Sequence, residues 1–150
     1  MATEEELKAL RESTGKILGV DFGDTRTGLA VSDRNRILAS GIGYVSPGGI
    51  EKTADSVAGI AVEQGAVAAV VGLPRNMDGS EGFRAEACKE FAKLLSEKTG
   101  LSVDFQDERL TTVSAHNILN ATDTRGKKRK AVVDAVSAVL ILEDYLRKQT

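Results

Sequence analysis

Apolar and polar residues fall along the chain in blocks whose lengths separate strands from helices. Residues 16–22 (KILGVDF) form a β-rich apolar run, Gly23-Asp24-Thr25 supply turn chemistry, and 27–32 (TGLAVS) form a second run, so a hairpin is expected. A third strand is expected over 41–45, and Pro47-Gly48-Gly49 then punctuate the chain before a helical pattern over 50–64. Residues 66–72 (AVAAVVG) are short, continuous and apolar, as in a strand covered on both faces. A loop over 73–81 leads to a long helix over 82–98, which Gly100 ends, and 101–106 reads as a fifth strand. Thr111 or Thr112 can cap a short helix, residues 121–130 (ATDTRGKKRK) read as a polar, basic and mobile loop, and a final helix is expected over 131–147.

The order of these blocks predicts one α/β domain over residues 16–150, with a sheet that mixes an antiparallel hairpin with parallel βαβ units. Residues 1–15 read as an appended acidic, amphipathic helix, without the apolar centre of a signal peptide. The longest uninterrupted apolar run, 66–71, falls far short of the roughly 18 residues a spanning helix requires, so no membrane partner is expected and the cytoplasm is the expected location.

Composition narrows the chemistry. The chain of 150 residues is 41% hydrophobic and 28% charged, as in folded globular proteins. Its single cysteine, Cys88, sits in a polar helical pattern and excludes an intrachain disulfide or a thiolate zinc site. Its single histidine, His116, argues against a Ser/His triad or a histidine-based metal centre. Net charge is only −2, so attraction to a polyanion would need a local cluster, and Arg125, Lys127, Lys128, Arg129 and Lys130 supply one just before the last helix. With two Tyr, four Phe and no Trp, little in the composition suggests a platform for stacking bases.

Three acidic positions are candidates for a site. The segment 131–142 (AVVDAVSAVLIL) is apolar on nearly every face except at Asp134 and Ser137, which are three apart and share a side of the helix. A carboxylate on a buried helix is costly unless an Arg, backbone donors or a metal compensate it, although an Asp near a helix start is also favoured by the dipole. Asp21 ends the first strand, where Gly23 would let a ligand approach the backbone; turn initiation explains an Asp there equally well. Asp107 and Glu108 close the fifth strand and point to opposite faces, so one of them would face a site, and a solvated strand end is the plainer account. Concurrence makes the stronger case, because ligands collect beyond the carboxyl ends of strands in open α/β sheets, and three carboxylates there form an oxygen-rich site of the Mg²⁺ type.

Four blocks resemble the YqgF (RuvX) group of RNase H-like proteins, described as Holliday junction resolvases and as nucleases that mature the precursor of small-subunit ribosomal RNA. They are GVDFGDTRTGLAVSD at 19–33, VVGLPRNMDGSEG at 70–82, DERLTTVSA at 107–115 and KAVVDAVSAVLILEDYL at 130–146. The resemblance implies an RNase H-like fold with a five-stranded mixed sheet flanked by helices, and Asp21, Glu108 and Asp134 as an acidic site for Mg²⁺ or Mn²⁺. Asp107 is the understudy for Glu108. By the same resemblance Arg26, Asn76, Arg109, Thr111 and Lys130 surround the site and face nucleic acid. Related resolvases often carry a second acidic residue one turn along the last helix; Ser137 stands at that position here, which suggests a leaner metal centre.

The expected function is metal-dependent hydrolysis of phosphodiester bonds, in processing of the 5′ end of precursor 16S ribosomal RNA, with structured RNA favoured over branched DNA as partner. A Holliday junction resolvase acting on branched DNA is the alternative, and a non-catalytic nucleic-acid or ribosome-associated factor is another. The first block also resembles the phosphate-binding hairpin of the actin and sugar-kinase superfamily, but those proteins need two such domains. A monomer would suffice for RNA processing, whereas paired cuts in a junction would need a homodimer.

Overall fold

The computed structural model describes residues 3–75, 78, 80–108 and 126–148, with residues 126–134 described by backbone alone. In chain order the described elements are α1 (Glu4–Glu12), β1 (Lys16–Asp21), β2 (Thr27–Ser32), β3 (Ala39–Val45), α2 (Ile50–Gln64), β4 (Ala66–Leu73), α3 (Phe83–Thr99), β5 (Ser102–Asp107) and α4 (Gly126–Arg147). The five strands form one mixed sheet in the order β3-β2-β1-β4-β5. The β1–β2 and β2–β3 pairs are antiparallel, and the β1–β4 and β4–β5 pairs are parallel.

Strand alternation divides the core into two layers. Leu18, Val20, Leu29, Val71 and Val103 point towards α2 and α3, whose Val57, Phe91 and Leu95 meet them. Ile17, Ala30, Ala68 and Val70 point the other way, where Ala138, Ile141, Leu142 and Tyr145 of α4 cover the sheet together with Leu10 of α1. Small residues set how closely α4 sits. A methyl group on Gly19 would lie 2.9 Å from Leu142 Cβ and 3.1 Å from the Ala138 carbonyl oxygen, so only glycine admits the helix at this depth. Tyr145 ties α4 to β5 by donating from its hydroxyl to Asp104 Oδ2 at 2.8 Å.

Helix α4 departs from the sequence expectation at its start. It begins at Gly126 rather than 131, so residues 126–130 of the supposed mobile segment are helical. The run KKRKA consists of good helix formers, and this propensity prevails although cations at a helix N-terminus oppose the dipole. The short helix expected after Thr111 or Thr112 lies outside the described residues. The N-terminal helix, Glu4–Glu12, is shorter than the 1–15 expected, and the remaining described elements match within two residues. No described helix is long and apolar enough to cross a membrane.

Candidate active site

Asp21 is the last residue of β1, on the α4 side of the sheet by its alternation with Ile17 and Gly19. The chain just beyond it is firmly held. Phe22 turns to the opposite face and stacks on Phe91 of α3 with ring centroids 4.6 Å apart, and the Gly23 amide donates to Thr27 Oγ1. Gly23 serves this turn rather than a ligand, because a methyl group there would lie 2.2 Å from the Arg26 carbonyl oxygen. The room expected for an approaching ligand is therefore taken by the chain itself.

Register carries the site across the sheet. Val20 pairs with Val71, so Asp21 comes level with Gly72, and Gly72 pairs with Gln106 of β5. Glu108 lies two residues beyond Gln106 and turns to the same face. Its carboxylate packs over Gly72, where a methyl group would lie 2.7 Å from Glu108 Oε2 and 2.5 Å from Ile141 Cδ1. Glycine at 72 is thus what allows a carboxylate and a helix to share that space. Asp107 turns away, towards Arg75, whose Nη1 is 3.9 Å from Asp107 Oδ2. Of the two adjacent carboxylates, Glu108 is the one presented to the α4 face.

The electrostatics of Glu108 are unusual for a carboxylate. Only 9% of the residue is exposed, and Oε2 is buried without a hydrogen-bond partner among the described residues. Burial first, then the negative charges of Asp21 and Asp107, push its acid up to about 8, against the pull of Arg84. An unpartnered buried carboxylate facing a second carboxylate is costly, and a cation between them would relieve both burial and repulsion. The hydroxyl oxygen of Ser137, 1% exposed and one turn before Ile141 on α4, and the amide Oε1 of Gln106 are also buried without a partner among the described residues.

Asp134 lies on α4 one turn before Ser137, and its side chain is outside the description, as are those of Lys127, Lys128, Arg129 and Lys130. Asn76, Arg109, Thr111, Arg125 and His116 also lie outside the described residues. Arg26 is half-buried at the end of the β1–β2 turn, with its guanidinium carbon 5.6 Å from the centre of the Tyr44 ring. Among the described residues, no three His, Cys, Asp or Glu side chains close into a complete metal shell. What those residues supply is the pair Asp21 and Glu108.

Near the pair, the sequence pattern does not single out Arg84 and places Cys88 differently. Arg84, in the first turn of α3, reaches Asp24 Oδ2 and the Phe22 carbonyl oxygen at 3.4 Å each, bracing the strand end that carries Asp21. Cys88, one turn further along α3, is buried in the core rather than lying on a polar face. Burial, with the charges of Glu108, Asp21 and Asp24 added, pushes its thiol up to about 12 against the pull of Arg84. The i, i+4 spacing of Arg84 and Cys88 places both on one helix face and was available in the sequence.

The chain matches the RuvX family, described as Holliday junction resolvase, over residues 15–148. A protein of Agathobacter rectalis that carries the name of a pre-16S rRNA nuclease is 42% identical over 134 residues, covering 87% of this chain and 94% of that protein. A similarly named protein of Leuconostoc mesenteroides is 43% identical over 134 residues, with coverage of 87% and 94%. Among solved structures, T. thermophilus RuvC in complex with a Holliday junction substrate superposes with a TM-score of 0.58 at 14% identity, over 91% of this chain and 97% of that one. At that identity the likeness concerns the fold, which is RNase H-like.

Proposed function

The chain belongs to the RuvX family, and from that premise we propose that it is a nuclease that uses a divalent cation to hydrolyse phosphodiester bonds while trimming the 5′ end of precursor 16S ribosomal RNA. The observation that carries the reading is the Glu108 carboxylate, buried, without a partner at Oε2 among the described residues and repelled by Asp21, at the carboxyl ends of three adjacent strands. The donors are all oxygen, which suits Mg²⁺ or Mn²⁺ rather than zinc. Asp21 and Glu108 would hold the cation, with Asp134 as the third ligand. Once bound, it would offset the charge of the phosphate and make a water molecule a better nucleophile.

The chain's own groups do the positioning. Phe22 on Phe91, together with Arg84 on the Phe22 carbonyl, holds the end of β1, so Asp21 meets its ligand with little freedom to lose. Gly72 leaves the space that Glu108 occupies beside Ile141. Lys127 to Lys130 open α4, where their charges and the positive end of the helix dipole add to the same sign; together with Arg125, Arg26, Asn76, Arg109 and Thr111, they would gather backbone phosphates without reading bases. Residues 16–150 would form the catalytic domain, with residues 1–15 as an appended helix, acting in the cytoplasm.

The test is cleavage of a 5′-extended 16S precursor fragment beside a four-way DNA junction, with Mg²⁺ or EDTA. Precursor cleavage that requires Mg²⁺ and is lost in Asp21→Asn, with the variant's circular dichroism unchanged, is the expected result. Junction cleavage in preference to the precursor would move the reading to a resolvase, and cleavage by Asp21→Asn at the wild-type rate would sink the site.

A further inference from the structure

Tyr44 stands in the same row of the sheet as Asp21. Asp21 pairs with Gly28 across β1 and β2, and Gly28 pairs with Tyr44 across β2 and β3. Cross-strand partners share a face, so Tyr44 lies on the α4 side, two strand spacings or roughly 10 Å from Asp21. Among the described residues β3 is the sheet edge, with no strand beyond it.

A tyrosine ring on a sheet face is ordinarily covered by its neighbours, yet Tyr44 is 44% exposed. What accompanies it is a cation, since the Arg26 guanidinium carbon lies 5.6 Å from the ring centre. Arg26 belongs to the turn that immediately follows Asp21, so the pair is joined to the acidic site through both the register and the chain. A half-exposed ring with a cation over one face, next to the proposed site for a phosphodiester, has the chemistry of a stacking platform. Every base offers a π face, and a cation held at the ring adds attraction for a nearby phosphate. The other exposed large apolar side chains lack this combination: Ile37, Leu38, Ile42, Val62 and Val67 carry no ring, and Phe83, 87% exposed, is on α3, which covers the opposite face of the sheet.

Resting on the nuclease reading of the site, we propose that Tyr44, accompanied by Arg26, stacks on a nucleobase of the strand whose phosphate lies at Asp21. It is a positioning residue, indifferent to base identity. Because the chain contains no Trp, Tyr44→Trp introduces a single indole at this place. Titrating that variant with a single-stranded oligoribonucleotide in EDTA should quench the indole emission. With Mg²⁺, Tyr44→Ala should raise KM for RNA cleavage on the order of tenfold with kcat within about twofold, while Tyr44→Phe and Tyr44→Trp keep the wild-type KM. Indole emission that does not respond to RNA overturns the proposal, and so does a wild-type KM in Tyr44→Ala. Failure of the wild type to cleave would count against the nuclease reading instead, and the titration would still decide the stacking.

Discussion

Replacing Glu108 by Gln removes a charge that the fold tolerates poorly while keeping its shape. The carboxyl titrates near 4.5 when ordinary and is pushed up to about 8 here, first by burial and then by Asp21. A raised acid means that the folded protein keeps its proton after the unfolded chain has lost it. The contribution of the Glu108 proton to the stability of the cation-free protein should therefore be fully present below about pH 4.5, be lost as pH rises, and be gone above about 8. At about 1.4 kcal/mol per unit, the fall over that window is on the order of 3 to 5 kcal/mol. Glu108→Gln should abolish this component. The buried amide brings its own cost of about 1 to 3 kcal/mol, so the informative quantity is the slope against pH rather than the absolute stability. The assay is urea unfolding in EDTA at unit steps from pH 5 to 9, for the wild type and the variant. Parallel profiles would refute the reasoning, since they would mean that Glu108 keeps an ordinary acidity in the fold. Adding Mg²⁺ at high pH should restore the wild type by about 2.7 kcal/mol at a hundredfold excess over Kd and should do far less for Glu108→Gln.

Other outcomes follow from the same contacts. Gly72→Ala puts a methyl group into space held by Glu108 and Ile141, so unfolding should show a loss of about 1 to 3 kcal/mol and cleavage should fall with it. Tyr145→Phe breaks the hydrogen bond to Asp104 and should cost about 1 to 2 kcal/mol in urea unfolding while leaving Mg²⁺-dependent cleavage at the wild-type rate. Cation affinity, measured by calorimetry, should weaken as pH drops below about 8, because the cation and a proton compete for Glu108.

Much of the fold was legible from periodicity. The 16–32 hairpin, the 50–64 helix and the apolar run from Ala66 all appear where the pattern places them, because burial on one or both faces writes itself directly into the sequence. The start of α4 was not legible, since KKRKA is polar enough to read as loop and carries charges of the wrong sign for a helix N-terminus. At the site, strand alternation alone leaves Asp107 and Glu108 open and the family resemblance favours Glu108; in the structure Glu108 packs over Gly72 on the α4 face while Asp107 turns towards Arg75. The role given to Gly23 was misjudged, because a turn carbonyl fills the space that a ligand would need. Arg84 and Tyr44 escaped for a different reason. Each reaches the Asp21 neighbourhood from an element distant in sequence, one from α3 and one through two strand pairings.

Locating the cation itself tests the central claim most directly. Crystals soaked in Mn²⁺ and measured at the manganese absorption edge should show an anomalous peak between the carboxylates of Asp21 and Glu108, and crystals of Glu108→Gln should lose it. A peak elsewhere, or one that persists at full strength in Glu108→Gln, would contradict the account.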